Sequence, residues 1–393
     1  MPLSHQAPEP DGTLIFEVGT DVVFFDALRE RWEELERVCG NRSLFMSWQW
    51  QRLWWTHYGA GRDLRIFVAR DERRLLGVLP MYQEARRVGP FSIARLSTIG
   101  SGGDTAPDDL DPLLSPGHAE RIAEQFARSI IQAQSPWRIA SCPDLAPDGP
   151  FARALLAASV GLPRILVRRS ERAIVCDRLP NEWESYVHDL GAHRRKGLRR
   201  KLRKFEADGG EVIWHRGAEA VNAGFDTLAE LHRMRWTGRS SEYAFSSDQY
   251  LAFHRALMHR LDEAGALRLL ELRMQGRAIA MRYGYRLGDT FFDLQSGFDP
   301  EFSDYSPGEL CISNCIERAI SEGCTHFDML RGDYEHKRAF LKAERTSIDL
   351  TLYRGLALRS AMRLRGMLSA MRAAALNAPR RSTPTGHADD PGA

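Results

Sequence analysis

The sequence predicts an α/β protein in which one unit, made of a helix, a hairpin, a strand, a helix and a strand, occurs twice. In the first unit these elements are expected at 24–39 and 46–58, 64–69 with 75–82, 93–99, 117–133 and 137–142. In the second they are expected at 248–264, 267–273 with 278–285, 290–296, 308–322 and 325–330. Alternating apolar residues between turn residues favour strands, and apolar residues three or four apart favour helices. The repeated order indicates duplication.

Length and composition indicate a globular chain of more than one domain. At 393 residues it exceeds one compact core, and its 43% hydrophobic and 27% charged residues are ordinary for a soluble protein. A net charge of +2 does not by itself indicate a nucleic-acid binder. No stretch approaches the roughly 18 apolar residues of a membrane-spanning helix. The first residues lack the features of a secretory signal, so we expect a cytoplasmic protein.

The expected organisation has five segments. They are a disordered start, a first α/β half, a second α/β half, a basic amphipathic helix and a disordered tail, at 1–12, 13–180, 181–354, 355–376 and 377–393. A strand at 347–353 is expected to close the second sheet. The amphipathic pattern of 355–376 suits either peripheral docking on an anionic membrane or packing onto its own domain.

Two motifs in the second half carry a family resemblance. They are GFDPEFSDYSPG at 297–308 and FDMLRGDYEHK at 327–337, and they follow the second hairpin in this order. With the element order over 22–353, they resemble the CelD-type, or BioF-like, GNAT acetyltransferases, a double-GNAT group related to the Fem-type peptidyltransferases. The resemblance implies two tandem GNAT-like mixed-sheet halves with flanking helices. It also implies an N-acyltransferase that uses acetyl-CoA, or another acyl-CoA, as co-substrate and needs no metal.

The start of the helix at 308–322 is the candidate donor site. Ser306, Pro307 and Glu309 have the spacing of an N-cap, a first helical proline and a capping box. A helix N-terminus favours phosphate, so Tyr305, Ser306 and Gly308 are donor-binding candidates, although a well-capped helix explains the pattern equally. The loop 302–308, which leads into this helix, departs from the Q/R-x-x-G-x-G/A loop of simple GNAT enzymes, because it has one glycine and an aspartate.

Two strand aspartates are candidates for the general base. Asp328 lies in an otherwise apolar strand, where a buried carboxylate is costly unless paired. It is interpreted either as an ion pair with Arg331 or a neighbour, or as the base that deprotonates the acceptor amine. Asp293, on the strand next to the second hairpin, is the alternative base.

Tyr334 and Lys337 follow the strand that contains Asp328 and are three residues apart, so on a helical turn they share a face. The resemblance implies that Tyr334 protonates the leaving thiolate. Lys337 suits an oxyanion or a phosphate as a point charge. The alternative for the pair is a packed tyrosine and a solvated lysine.

The segment 193–204 is strongly basic, and its apolar residues at helical spacing predict a helix that turns its charge outward. Arg195 and Arg199 are the candidate phosphate ligands, toward CoA or a nucleotide diphosphate. A tRNA or an anionic membrane is the alternative partner for this face.

The loop 100–111 of the first half occupies the position of that half's own donor loop. It contains four aspartates and no basic residue, so it repels phosphates. We interpret it as a degenerate site that lines the acceptor cleft. Its aspartates lack the spacing of a calcium loop, and Cys311 and Cys315 are interpreted as buried thiols rather than metal ligands.

Three functions are compatible with these residues. The first is an acyl-CoA-dependent N-acetyltransferase, for which the resemblance implies an amino-sugar or sugar-nucleotide acceptor in polysaccharide or cell-envelope biosynthesis. The second is a Fem-type aminoacyl-tRNA-dependent transferase, which the basic helix favours. The third is a non-catalytic module that binds a glycan or an envelope component, which the unusual donor loop favours.

Overall fold

The computed structural model describes residues 13–41, 43–88, 91–132, 137–236, 244–332, 335–362 and 364. Within these ranges the strands are β1 (Ile15–Gly19), β2 (Asp63–Arg70), β3 (Leu75–Val88), β4 (Phe91–Thr98), β5 (Leu113–Leu114), β6 (Ile139–Leu145), β7 (Ile165–Arg178), β8 (Gly210–His215), β9 (Leu267–Met274), β10 (Arg277–Leu287), β11 (Thr290–Phe298), β12 (His326–Asp328) and β13 (Glu344–Arg354).

The helices in the same ranges are α1 (Val22–Ala27), α2 (Arg29–Val38), α3 (Trp48–Tyr58), α4 (Ala119–Gln132), α5 (Pro150–Ser159), α6 (Trp183–Asp189), α7 (Ala192–Ala207), α8 (Ala218–Trp236), α9 (Asp248–Glu263), α10 (Pro307–Ser321) and α11 (Glu335–Arg338). Short 3₁₀ helices lie at Leu44–Met46, Ala244–Ser246 and Pro300–Tyr305, and a further helix covers 356–362.

The duplicated order predicted from the sequence is confirmed. In each half an antiparallel hairpin leads into a parallel strand pair whose connection contains one helix, β4 with β6 through α4 and β11 with β12 through α10. The second hairpin turns at Gln275 and Gly276, both with positive φ, as a two-residue hairpin turn requires. The helix predicted at 24–39 is divided at Leu28, and the bend stacks Phe25 on Trp32 with ring centroids 5.8 Å apart.

The strands form one sheet with an almost symmetrical order. From edge to edge it runs β1-β2-β3-β4-β6-β13-β7-β12-β11-β10-β9-β8, and β5 pairs with β3 beside this path. Each strand on one side of the central β13–β7 pair has its counterpart of the other copy at the same distance on the other side. The two copies therefore share one sheet, as related units do around a pseudo-twofold axis.

Strand β13 contains the segment 347–353, and the prediction that this segment closes the second sheet is wrong. β13 lies between β6 and β7, and its pairing with β7 runs antiparallel from Arg354 opposite Ile165 to Glu344 opposite Val175. β7 in turn pairs with β12. Each half thus contributes its last strand to the other half. Side-chain alternation along a strand shows which faces are buried, and it does not show which strand is the neighbour.

An aromatic layer packs the two halves against each other. Helix α3 of the first half contacts α9 of the second, where the rings of Trp50 and Tyr58 each lie 5.7 Å from that of Phe253 in edge-to-face geometry. Trp50 and Trp54 are buried. These rings belong to one core that continues from the first half into the second. Each such ring pair contributes about 0.5–1.5 kcal/mol beyond its area burial.

The structure tests some of the remaining predictions, and others fall on residues that it does not describe. Cys311 and Cys315 are buried in α10, as predicted. Of the basic helix predicted at 355–376, the structure describes a helix at 356–362, while 1–12 and 377–393 lie outside the described residues. None of the described helices is long and apolar enough to cross a membrane.

Asp111 is a carboxylate whose ionisation opposes folding. Its Oδ2 accepts the backbone N–H of Ala146 at 2.7 Å. Burial, with the negative charges of Asp109 and Asp144, raises the pKa of Asp111 to about 7. Because this folded-state pKa lies above the unfolded value of about 3.9, the stabilising contribution is complete at acidic pH and is lost as the pH rises through about 7.

We expect Asp111→Asn to become stabilising, relative to the native chain, as the pH is raised from 5 to 8. The amide keeps an acceptor for Ala146 and cannot ionise, and each unit of pKa shift corresponds to about 1.4 kcal/mol. Thermal unfolding followed by circular dichroism at several pH values measures the difference in midpoint. Asp148→Asn, which removes an exposed carboxylate of the same region, is the control with a constant difference. A pH-independent difference for Asp111→Asn contradicts the assignment.

Candidate active site

A cavity of about 510 Å³ opens where the parallel strands β11 and β12 part. The strands pair only from Thr290 opposite His326 to Phe292 opposite Asp328. Beyond this point the residues 293–296 of β11 and 329–331 after β12 line the cavity together. The end of the pairing therefore creates the opening, and its volume lies within the roughly 300–1,000 Å³ of ligand sites.

Both halves line this cavity. The first half contributes Phe45, Trp50 and residues 105–107. The second half contributes an aromatic wall from α8 and α9 and a charged wall from β10, β11 and the segment after β12. The aromatic wall consists of His232, Trp236, Tyr250, Phe253 and His254, and the charged wall of Arg282, Asp293, Arg331 and Lys337.

Lys337 reaches the charged wall from α11 and is 8% exposed. Its Nζ donates to the carbonyl oxygens of Met329, Leu330 and Arg331 at 2.6, 3.1 and 2.8 Å. Leu330 between them has a left-handed backbone with φ 52°. Burial lowers the pKa of Lys337, while the charge of Asp293 acts in the opposite direction. Because an ammonium has three N–H donors, these bonds hold Lys337 as a fixed positive charge.

Asp293 lies beside Lys337 in a buried ion pair with Arg282. Arg282 Nε donates to Asp293 Oδ1 at 2.7 Å, and Nη2 donates to Oδ2 at 3.0 Å. Arg282 Nη1 also lies 3.5 Å from the carbonyl oxygen of Gly308 at the start of α10. The guanidinium thus connects the cavity with the helix start that the sequence indicates for the donor.

Asp328 is not among the residues that line the cavity. Its Oδ1 accepts the backbone N–H of Leu330 at 2.7 Å, and its Oδ2 accepts Arg345 Nε at 2.9 Å. Arg331, the partner proposed from the sequence, instead binds Asp108 and Asp144 of the first half. The expected ion pair of Asp328 therefore forms with a different arginine.

The aromatic wall contains polar groups that the sequence analysis missed. His254 Nδ1 lies 2.8 Å from the hydroxyl of Tyr283, and Gln295 Nε2 donates to the hydroxyl of Tyr250 at 2.9 Å. Burial lowers the pKa of His232 to about 4 and that of His254 to about 3, so both imidazoles are neutral at pH 7. A signal was present, because Tyr250 and His254 are four apart on the helix predicted at 248–264 and share a face.

The predicted capping box at the start of α10 is wrong. Ser306 occupies the N-cap position with Pro307 next to it, but its side chain makes no capping bond. Its backbone is left-handed, φ 53°, because the preceding 3₁₀ helix ends there. The carboxylate of Glu309 binds Lys201 of α7 instead of the N-cap. The negative charge at this helix start is thus neutralised by a lysine of the basic helix.

Helix α7 presents arginines to α6 on one side and lysines to the start of α10 on the other. Arg195 Nη1 donates to the carbonyl of His188 at 2.8 Å, and Arg199 Nη2 binds Glu184 at 2.6 Å, so both candidate phosphate ligands lie against α6. Leu198 is buried beneath the helix. The prediction that this helix packs on the body and turns its charge outward is confirmed.

The side of α7 that faces α10 carries lysines. Besides Lys201, which binds Glu309, Lys204 Nζ lies 4.3 Å above the ring of Tyr305. The Tyr305 hydroxyl donates to Asp208 at 2.7 Å. The structure therefore brings these two lysines to the candidate donor residues.

The structure brings only some of the predicted site residues together. Asp293 and Lys337 share the cavity wall, and Gly308 adjoins it through Arg282. Asp328 lies behind the wall. Tyr334 lies outside the described residues, and its role as the acid for the leaving thiolate stays a prediction.

The acidic loop 100–111 meets arginines of the second half. Asp108 binds Arg331 and Asp109 binds Arg345, while residues 105–107 line the cavity. Over the part of the chain that the structure describes, no group of three or more potential ligands has the arrangement of a metal site.

Comparisons with known proteins find a family match in the second half and a similar fold for most of the chain. A family model described as an acetyltransferase (GNAT) domain matches residues 192–338. A search of curated proteins gave no match. The fold is similar to that of FemX, with 12% identity, a TM-score of 0.57 and coverage of 84% of this chain and 96% of that chain.

It is also similar to a conserved protein of unknown function from Bacteroides thetaiotaomicron VPI-5482, with 12% identity, a TM-score of 0.55 and coverage of 86% of this chain and 100% of that chain. At this level of identity both likenesses show the fold alone. Residues 192–338 thus match the GNAT acetyltransferase domain model, within a chain whose fold repeats the same α/β unit in both halves.

Proposed function

We propose that this chain transfers an acyl group from an acyl-CoA, acetyl-CoA in the first instance, to an amine in the cavity between its halves. One observation carries the proposal: β11 and β12 separate after Phe292 and Asp328, and their diverging ends line a cavity that contains a carboxylate and a buried ammonium. The thioester arm of the donor is proposed to enter between the strands, at the point where their pairing with each other ends.

The donor phosphates are proposed to lie at the start of α10. Tyr305, Ser306 and Gly308 belong to this region, and backbone N–H groups of a helix start favour anions. Lys201 and Lys204 add positive charge on the adjoining face of α7. Arg195 and Arg199, which lie farther round the helix, are proposed for the more distant phosphate of the donor.

The proposed reaction uses the charged wall. The acceptor nitrogen attacks the thioester carbonyl, so that a C–N bond forms, the C–S bond breaks and CoA leaves as a thiolate that takes up a proton. Asp293 is proposed to accept the proton of the amine, since it is the carboxylate that lines the cavity. Lys337 is proposed to stabilise the oxyanion by its fixed charge rather than by a direct hydrogen bond, because three carbonyls already engage its Nζ.

The acceptor is proposed to pack against the aromatic wall. Trp236, whose side chain is half-buried, is the member of this wall proposed to contact a sugar ring or an apolar group, since Trp50 and Phe253 are buried. An amino sugar or a sugar nucleotide is the acceptor that the family resemblance suggests, in polysaccharide or cell-envelope biosynthesis. The neutral histidines of the aromatic wall, His232 and His254, add hydrogen-bonding groups without charge.

A tRNA-borne aminoacyl group is the second candidate donor. Lys196 and Arg200 on the outer face of α7 are exposed, and a basic helix favours a polyanion. The fold shared with FemX is compatible with this alternative. A non-catalytic glycan-binding module is the third candidate and requires only the aromatic wall.

Calorimetric titration with acetyl-CoA tests the donor, and we expect binding at micromolar to millimolar concentration. Replacing Lys201 and Lys204 together with Ala should weaken it about 10-fold and reduce its salt dependence, because charged contacts near a phosphate contribute about 1.5–3 kcal/mol each before screening. Arg195→Ala with Arg199→Ala removes the same charge from the same helix. It should weaken binding less, about 2- to 3-fold by the same contacts. An undetectable interaction of the native chain at millimolar acetyl-CoA removes the leading donor.

Asparagine replacements decide which aspartate is the base. We expect Asp293→Asn to lower kcat about 10²- to 10⁴-fold, with little change in acetyl-CoA affinity. Thiol release from acetyl-CoA, with glucosamine as the amine probe, measures kcat, and calorimetry measures affinity. Unfolding midpoints control for Arg282, which loses its charged partner. Asp328→Asn should have the smaller effect on kcat, and the reverse order returns the base to Asp328.

A further inference from the structure

The acidic loop of the first half grips the segment that ends β12. Asp108, which is fully buried, accepts the backbone N–H of Arg331 on Oδ2 at 2.6 Å and Arg331 Nε on Oδ1 at 3.3 Å. Arg331 Nη2 also donates to the carbonyl of Pro107 and to Asp144. One residue of the second half is thus held through both its backbone and its side chain by residues of the first half.

The segment after β12 that contacts the acidic loop also binds Lys337. The carbonyl oxygens of Met329, Leu330 and Arg331 are the three acceptors of its Nζ. The N–H of Arg331 points to Asp108 while its carbonyl points to Lys337. A continuous series of hydrogen bonds therefore runs from the loop of the first half to the ammonium in the cavity wall.

Backbone conformation at this contact is unfavourable on both sides. Asp109, Asp144 and Leu330 have positive φ of 53°, 56° and 52°, a region that non-glycine residues rarely occupy. Such conformations are unfavourable for residues with a side chain and persist only where the surroundings hold them. Arg345 supplies a second hold, since it binds Asp109 and Asp328 at the same time.

We propose that Asp108 is a positioning residue that sets Lys337 for catalysis from the other half of the molecule. The acidic loop 100–111 occupies the position of a donor loop in the first half. Here it acts as a clamp on the turn after β12. This inference rests on the proposed function for the role of Lys337, whereas the clamp itself rests on the contacts alone. The first half thereby serves the chemistry of the second without binding the donor.

The charged groups near Lys337 come from several elements. Asp293 and Arg282 approach from β11 and β10, Asp108 from the acidic loop, and Asp328 from β12. Among these, Asp108 is the group of the first half. Asp108 is connected to Lys337 through Arg331, whereas Arg282 and Asp293 are paired with each other.

A double-mutant cycle between Asp108 and Lys337 tests the proposal. With acetyl-CoA and glucosamine as probes, we expect Asp108→Asn to lower kcat about 10-fold or more, because displacement of a catalytic group by about 1 Å has effects of this size. KM for acetyl-CoA should stay within about 2-fold by the same argument. In a Lys337→Met background the same replacement should have no further effect on kcat, since the two act in series. Asp111→Asn, in the same loop, is the control with native kcat.

Two results overturn the clamp. One is an unchanged kcat in Asp108→Asn, and the other is an effect that persists in full in the Lys337→Met background, which is the behaviour of a purely structural residue. If the native chain shows no turnover at all, the proposed function fails and amide hydrogen exchange decides the clamp. Faster exchange of 329–332 in Asp108→Asn but not in Asp111→Asn then supports it, and equal exchange refutes it.

Discussion

The antiparallel pairing of β7 with β13 determines how the two halves meet, and the site depends on it. β13, from the end of the second half, lies beside β6, and β7, from the end of the first, lies beside β12. Through this exchange, the last strand of each half forms backbone hydrogen bonds with strands of the other half. The exchange also brings the open end of β12 next to the acidic loop that precedes α4. The cavity consequently lies between the halves instead of within one of them.

Charge pairing then makes this junction specific. Burial raises the pKa of Asp109 and Asp144 to about 6, because the charged form of a carboxylate is disfavoured away from water. Arg331 and Arg345 offset that cost only if they lie in the right place, because a buried unpaired charge destabilises by several kcal/mol. Apolar packing of α3 on α9 tolerates small shifts. The ion pairs do not, so they set the geometry of the turn around Leu330.

The cavity combines two chemically different walls on this frame. The charged wall carries Asp293 and Lys337 on the side where β11 and β12 part, which is where the proposed reaction would place the thioester carbonyl. The opposite wall holds rings and the neutral imidazoles of His232 and His254. In the proposed reaction the first wall stabilises charge and the second receives the acceptor. The first half contributes Trp50 to the lining of the cavity, and its Asp108 binds Arg331 of the charged wall.

The sequence by itself determined the repeated elements, the duplication and the burial of residues such as Cys311, because periods of 2 and 3.6 residues record locally which side of an element faces the core. It also indicated Asp293 as a carboxylate in a strand and Lys337 as a charged residue on a helical turn after a strand. Only the tertiary structure decided that Asp328 binds Arg345, that Arg331 reaches Asp108, and that the last strands are exchanged. These are choices of partner between segments up to about 240 residues apart. They depend on strand neighbours and on which charge lies opposite, and no local pattern contains that information.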